Sequence, residues 1–318
     1  MGKVVKNKGE NKRIGRYLRG DTTKLSKKDA DLFYKLNWGL LFYVNQKYNI
    51  IEGLKSPNFA KQSLKKVMKL HDTLFSHPEL IDSFIQKNPF KFSKENLEII
   101  KGWKNFIKDR FFVVKYTKDG VIFLKPDDEP KAYAVLGLYD EIRDILGEYL
   151  PIMIQTVLLP FKGKIVYCGL VSPYNIHFGS GIRRNIEADY QKAKSKYGII
   201  KSLEEKYEKK RDANEEMLKY YVKSEGRREE YWYEVEKILE KNPSLWKIYY
   251  QEVGKSNARK MSKRLKQFDI KPAWFAVLDD LIIASAQTEK EAKEQVENLL
   301  LKEKQDYVHI FKYKGKRK

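Results

Sequence analysis

The chain has 318 residues, of which 42% are hydrophobic, and 64 Lys and Arg stand against 43 Asp and Glu, a net charge of +21. That length and apolar content suffice for two ordinary domains. The lone Cys168 excludes an internal disulfide framework, and no apolar run approaches the ~20 residues of a membrane span, so the expected setting is cytoplasmic.

Residues 1–24 open with "MGKVVKNKGENKRIGRYLRG", seven Lys and Arg with only Glu10 as an acid. So few apolar side chains cannot offset the entropy of ordering, and a mobile basic arm is expected.

Residues 25–195 read as a helical segment followed by an antiparallel sheet. Ser26 with Asp29 three residues on is a capping-box signature ahead of the apolar run Leu32–Val44. Leu64, Val67, Met68, His71, Leu74 and Phe75 then form one helical stripe, on which His71 reads as a hydrogen-bonded core histidine. Pro78 and Glu79 suit a third helix start. A fourth opens at Ser93 and carries Leu97, Ile100, Trp103 and Ile107 on one side. From Phe111 the period becomes strand-like. "FFVVKYTKDGVIFL" folds back at Asp119-Gly120, "KAYAVLGL" supplies a third strand, and "PIMIQTVLLPFKGKIVYCGLV" turns at Lys162-Gly163. These short antiparallel strands predict a small curled sheet or partly open barrel.

"NIHFGSGIRRNIEADYQKAK" then leads through Gly179-Ser180-Gly181 into a helix with Arg183 and Arg184 in its first turn. Backbone N–H groups and two guanidiniums there suit one phosphate. Cations at that end oppose the helix dipole, so an anion or a carboxylate must offset them. Arg184 stands where a dinucleotide fingerprint requires its third glycine, which excludes that motif.

Residues 196–271 read as charged helices with breaks at Gly198, Gly226 and Asn242-Pro243. In "SEGRREEYWYEVEK", Arg227 and Arg228 adjoin Tyr231, Trp232 and Tyr233, a combination able to stack on unpaired bases; alternation with acids favours a core role for these rings. "VGKSNARK" contains Gly254-Lys255-Ser256, but Tyr249 stands where a phosphate loop needs its first glycine. A helix is expected from about Ser256. Ala258, Met261, Leu265 and Phe268 form its apolar stripe, and Arg259, Lys260, Lys263, Arg264 and Lys266 cover the remainder with no intervening acid. An unmixed basic face of this length favours phosphate contacts.

Residues 272–318 predict a β-β-α-β unit with a basic tail. "AWFAVLDDLIIASA" turns at Asp279-Asp280, Thr288 with Glu291 caps a helix, and "DYVHIFKY" closes as a strand. The middle segment, "RFFVVKYTKDGVIFL" through "GSGIRR", resembles the core of an uncharacterised prokaryotic family over about residues 25–195. The C-terminal unit is similar to small prokaryotic domains of unknown function. Neither resemblance implies an activity.

The fold class expected is α+β. Four scattered histidines and one cysteine supply no metal set, and no cofactor motif or catalytic residue is assigned. Cys168, inside an apolar strand, reads as an inert buried thiol. The function expected is sequence-tolerant nucleic-acid binding, RNA ahead of DNA, through Gly179, Gly181, Arg183, Arg184, Arg259, Lys260, Lys263, Arg264 and Lys266. An anionic membrane surface or a protein partner would satisfy the same charge. The alternatives are a protein–protein adaptor and an enzyme centred on the sheet and the Gly179–Arg184 turn.

Overall fold

The computed structural model describes residues 23–59, 61–204 and 213–315. Most of the expected basic arm and the end of the basic tail therefore lie outside the described residues. Thr23 and Lys24, the last residues of that arm, are described: the Gly137 N–H donates to the Thr23 carbonyl and, just beyond the arm, the Leu25 N–H donates to the Gly137 carbonyl, both at 2.9 Å. The fold is α+β, as expected. It divides into two compact units, one of residues 23–125, 133–179 and 200–204, the other of residues 126–132, 180–199 and 213–315.

The first unit begins with helices α1 (Lys27–Tyr48), α2 (Leu64–Ser76), α3 (Glu79–Lys87) and α4 (Lys94–Gly102). Ser26, Ser63 and Ser93 cap α1, α2 and α4 by accepting from a backbone N–H in the first turn. The α2 stripe is narrower than its spacing suggests. Leu70, His71, Leu74 and Phe75 are buried, whereas Leu64 and Met68 are exposed. Phe33 of α1 meets Trp103 and Phe161 with ring centroids 5.6 Å away in each case, fixing the helices on the sheet.

That sheet is built from β1 (Ile107–Thr117), β2 (Gly120–Lys125) and β3 (Lys131–Leu136), then, after the short α5 (Ile142–Leu146), from β4 (Ile152–Phe161), β5 (Lys164–Tyr167) and β6 (Ser172–Pro173). The order β1-β2-β3-β5-β4 returns to β1, so five strands close into a barrel, with β3 and β5 parallel. β1 serves two neighbours because it is long and carries an irregularity between Val113 and Lys115. Its first half pairs with β4, its second with β2. Phe111, Phe123, Tyr133, Ile154 and Ile165 fill the interior. The β4–β5 turn places Lys162 and Gly163 at φ 51° and 71°, the left-handed pair that a two-residue hairpin needs.

The second unit carries α6 (Ser180–Tyr197), the short β7 (Ile199–Ile200) at its edge, and helices α7 (Ala213–Tyr221), α8 (Glu225–Glu230), α9 (Trp232–Lys241) and α10 (Trp246–Gln267). Met217, Leu218, Val222, Val235, Leu239 and Val253 make the core of this helical cluster. The helix break expected at Gly226 is not there, since Gly226 lies inside α8; the break falls at Tyr231, between α8 and α9. Strands β8 (Ala273–Leu278) and β9 (Leu281–Ala286), helices α11 (Glu289–Leu299) and α12 (Lys302–Gln305), and β10 (His309–Tyr313) complete the unit. The sheet order is β10-β8-β9, antiparallel throughout, with α10 and α11 both packed against it. Thr288 caps α11 by accepting from the Glu291 N–H at 3.2 Å, as its sequence predicts.

Candidate functional site

The two glycines of the Gly179-Ser180-Gly181 turn are not where a phosphate cradle would need them. α6 starts at Ser180, so Gly181 is already helical. Neither Gly179 nor Gly181 has positive φ, and a Cβ at either would meet open space. Their role is therefore not one that only glycine can fill. The useful feature is the helix behind them, which places Arg183 and Arg184 beside α8.

Two adjoining clefts, of about 390 and 380 Å³, lie along this region of the second unit. The first takes Arg183 and Arg184 from α6 and Arg227 and Glu230 from α8. The second takes Lys219 from α7, Lys223, and Glu252, Lys255 and Arg259 from α10. Glu187, Tyr220 and Arg227 line both. Arg227 is the shared cation. Its guanidinium sits 4.3 Å from the centre of the Tyr220 ring, and its N–H groups make no hydrogen bond or ion pair among the described residues. Burial pushes the Tyr220 hydroxyl up to about 12, with Arg227 opposing, so it stays a neutral phenol.

Carboxylates offset part of this charge. Arg184 Nη1 lies 3.5 Å from Glu230 Oε1, which supplies the partner that an arginine at a helix start requires. Lys219 bonds Glu215 at 2.5 Å and Lys255 bonds Glu252 at 2.6 Å. The Glu215 bond holds the Lys219 ammonium above its ordinary range. Lys223 and Arg259 have no ion-pair partner among the described residues, so the second cleft keeps a positive excess.

α10 extends that excess. It begins at Trp246, ten residues before the expected start, and Gly254-Lys255-Ser256 lies in its middle. No loop forms there to wrap a phosphate, and the glycine serves packing. Helical spacing puts Lys255, Arg259, Lys263 and Lys266 on one face, continuing from the cleft over about 16 Å. Lys260 and Arg264 lie on the adjacent stripe. Lys260 is engaged by Glu225 of α8 and lowers that carboxyl's pKa through the bond. Lys263, Arg264 and Lys266 are exposed and have no ion-pair partner among the described residues. On the opposite side Ala258 is buried and Met261 and Leu265 are half-buried, but Phe268 is 76% exposed and does not extend the core.

Of the residues picked from sequence, Arg183, Arg184 and Arg259 thus line the linked clefts, and Lys263 and Lys266 prolong the face of Arg259. Gly179 and Gly181 contribute no special backbone, and Lys260 and Arg264 face aside. Arg227 and Lys255 are the additions. Lys255 was hidden by the failed phosphate-loop match. Arg227 was hidden by a core reading of its aromatic neighbours, which the structure corrects: Trp232 is 62% and Tyr233 58% exposed, and only Tyr231 stacks inward, on Tyr221 at 4.7 Å. Trp232 shares the side of Val235 and Leu239 but is the first residue of α9, past the end of the packed layer.

Cys168 is buried just beyond β5, and burial raises its thiol pKa, as an inert thiol requires. His71 is buried, yet its Nδ1 lacks the hydrogen bond expected of it. No group of acids, histidines and cysteine arranged to hold a metal occurs among the described residues. No helix among them is long and apolar enough to cross a membrane. Five-stranded barrels that bind oligonucleotides present the faces of their second and third strands; here Val121–Leu124 and Ala132–Leu136 are buried on both faces. No family model, curated protein or solved structure matches this chain, so the function rests on the residues themselves.

Proposed function

We propose that this chain binds nucleic acid without catalysis and with wide sequence tolerance, its Lys and Arg side chains contacting phosphates. The observation that carries the reading is the row Lys255, Arg259, Lys263 and Lys266 running on from the Arg227 clefts, with no acid between Lys255 and Gln267. Surface helices ordinarily mix signs, and an unmixed row on a chain of +21 attracts a polyanion. No base-reading motif accompanies it, so contacts to phosphate set the affinity. RNA is placed ahead of DNA because the exposed Trp232 and Tyr233 rings suit unpaired bases, which RNA loops offer.

The test is a titration of duplex and single-stranded oligonucleotides at several salt concentrations. Neutralising about six phosphates gives a slope of log K on log salt near −5 for duplex and a shallower one for single strands. A salt-independent affinity, or no binding at low salt, overturns the reading and favours a protein adaptor.

A further inference from the structure

Arg227 and its neighbour Arg228 face different surroundings. Arg228 lines a separate cleft of about 480 Å³, walled by Trp232, Trp246 and Tyr249 with Glu236 and Glu240 alongside. The Nη1 of Arg228 is buried without a hydrogen-bond partner among the described residues, a donor that costs free energy until something accepts from it. Trp232 is 62% exposed and Trp246 37%, so their rings present apolar area to solvent. Glu236 and Glu240, one turn apart on α9, have no ion-pair partner among the described residues.

The ligand class follows from these groups together. Aromatic walls with two carboxylates would suit an organic cation, but the guanidinium in the same wall repels one. A phosphate would satisfy Arg228, but the two carboxylates repel it. A neutral planar ring carrying both acceptors and donors satisfies every group. It stacks on tryptophan, accepts from the Arg228 guanidinium and donates to Glu236 or Glu240. The volume lies within the range of small-ligand pockets and exceeds what one such ring requires.

The geometry points to a base-stacking subsite for single-stranded nucleic acid in the Arg228–Trp232–Trp246 cleft, taking one unpaired base and favouring those with an exocyclic amine. The assignment rests on the phosphate-binding reading above and deepens it. α8 then divides the work, Arg227 on the phosphate side and Arg228 on the base side. Cytosine meets the requirement, since its N4 amine donates to a carboxylate and its ring offers acceptors to arginine. Uracil lacks that amine, and its one ring donor, N3–H, sits between two carbonyl oxygens that a carboxylate repels.

The experiment measures binding of the full chain at pH 8 and low salt to twelve-nucleotide strands of cytosine, of uracil and of abasic sugar-phosphate. Base stacking contributes about 1–3 kcal/mol, so the cytosine strand is expected to bind about 5- to 150-fold tighter than the abasic one. Trp232→Ala and Arg228→Gln each remove most of that advantage while abasic binding and its salt slope stay level. Trp246→Ala does the same if it folds, and the exposed Trp232 gives a second variant less exposed to that risk. Equal wild-type affinity for cytosine and abasic strands overturns the subsite and leaves phosphate binding standing. Equal affinity for cytosine and uracil overturns the role given to Glu236 and Glu240. Failure to bind any strand overturns both readings.

Discussion

The backbone of α10 at Gly254 approaches β10 so closely that a Cβ built on the glycine would lie 2.6 Å from the Cβ of His309. The atom met is the root of a side chain, so rotation cannot clear it. Gly254→Ala would normally strengthen a helix by roughly 1 kcal/mol. Here overpacking reverses the sign, and the variant is expected to lose about 1–3 kcal/mol in chemical denaturation. An unchanged or higher midpoint would mean that α10 can move away from the sheet at little cost.

This close approach also shows what the sequence could and could not disclose. The string Gly254-Lys255-Ser256 carries the same letters whether it wraps a phosphate or seats a helix on a strand. The absence of a glycine at Tyr249 argues against the loop. Hairpins at Asp119-Gly120, Lys162-Gly163 and Asp279-Asp280 were legible because turn chemistry is local, and so were the caps at Ser26, Ser93 and Thr288. Closure of the barrel was not, since β1 meets β4 some forty residues on and no local pattern encodes that pairing. The clefts were legible by halves. Arg183, Arg184 and Arg259 stood out as charge without balance, whereas Arg227 acquires its place only when α6, α7, α8 and α10 come together.

His71 supplies a pH prediction for the first unit. Burial lowers its imidazole pKa to about 4 from an ordinary 6.5, so the folded protein holds it neutral. Above pH 6.5 it is neutral folded or unfolded and carries no penalty. As pH falls from 6.5 toward 4 the unfolded chain gains a proton that the folded chain refuses, and stability is lost. The difference corresponds to about 3 kcal/mol. His71→Leu should flatten the loss of stability over that window, measured as unfolding free energy at a series of pH values. A wild-type curve already flat there would show that His71 reaches solvent.

Gly179 and Gly181 give a contrast to Gly254. With ordinary φ and open space at the Cβ position, Gly181→Ala should raise stability by roughly 0.5–1 kcal/mol, because alanine has less backbone freedom to lose in α6. Oligonucleotide affinity should remain level. A fall in affinity without unfolding would show that the turn itself closes on an anion, and would restore the cradle.

Arg183→Ala with Arg184→Ala then separates binding from folding at the clefts. Arg184 meets Glu230 at 3.5 Å with its side chain 63% exposed, and an ion pair so open to water adds little to stability. Removing cations from the first turn of α6 also relieves their conflict with the helix dipole. The melting temperature is therefore expected to move little. If these side chains touch phosphate, affinity for a single strand should fall several-fold and the salt slope should lessen by about 1–2, one step for each phosphate no longer neutralised. Lys263→Ala with Lys266→Ala, at the far end of the row on α10, should lessen the slope in the same way, since neither lysine has an ion pair to lose among the described residues. A double arginine variant that melts earlier but binds as before would assign Arg183 and Arg184 to holding α6 against α8. Binding would then have to rest on Arg227 and the α10 row alone.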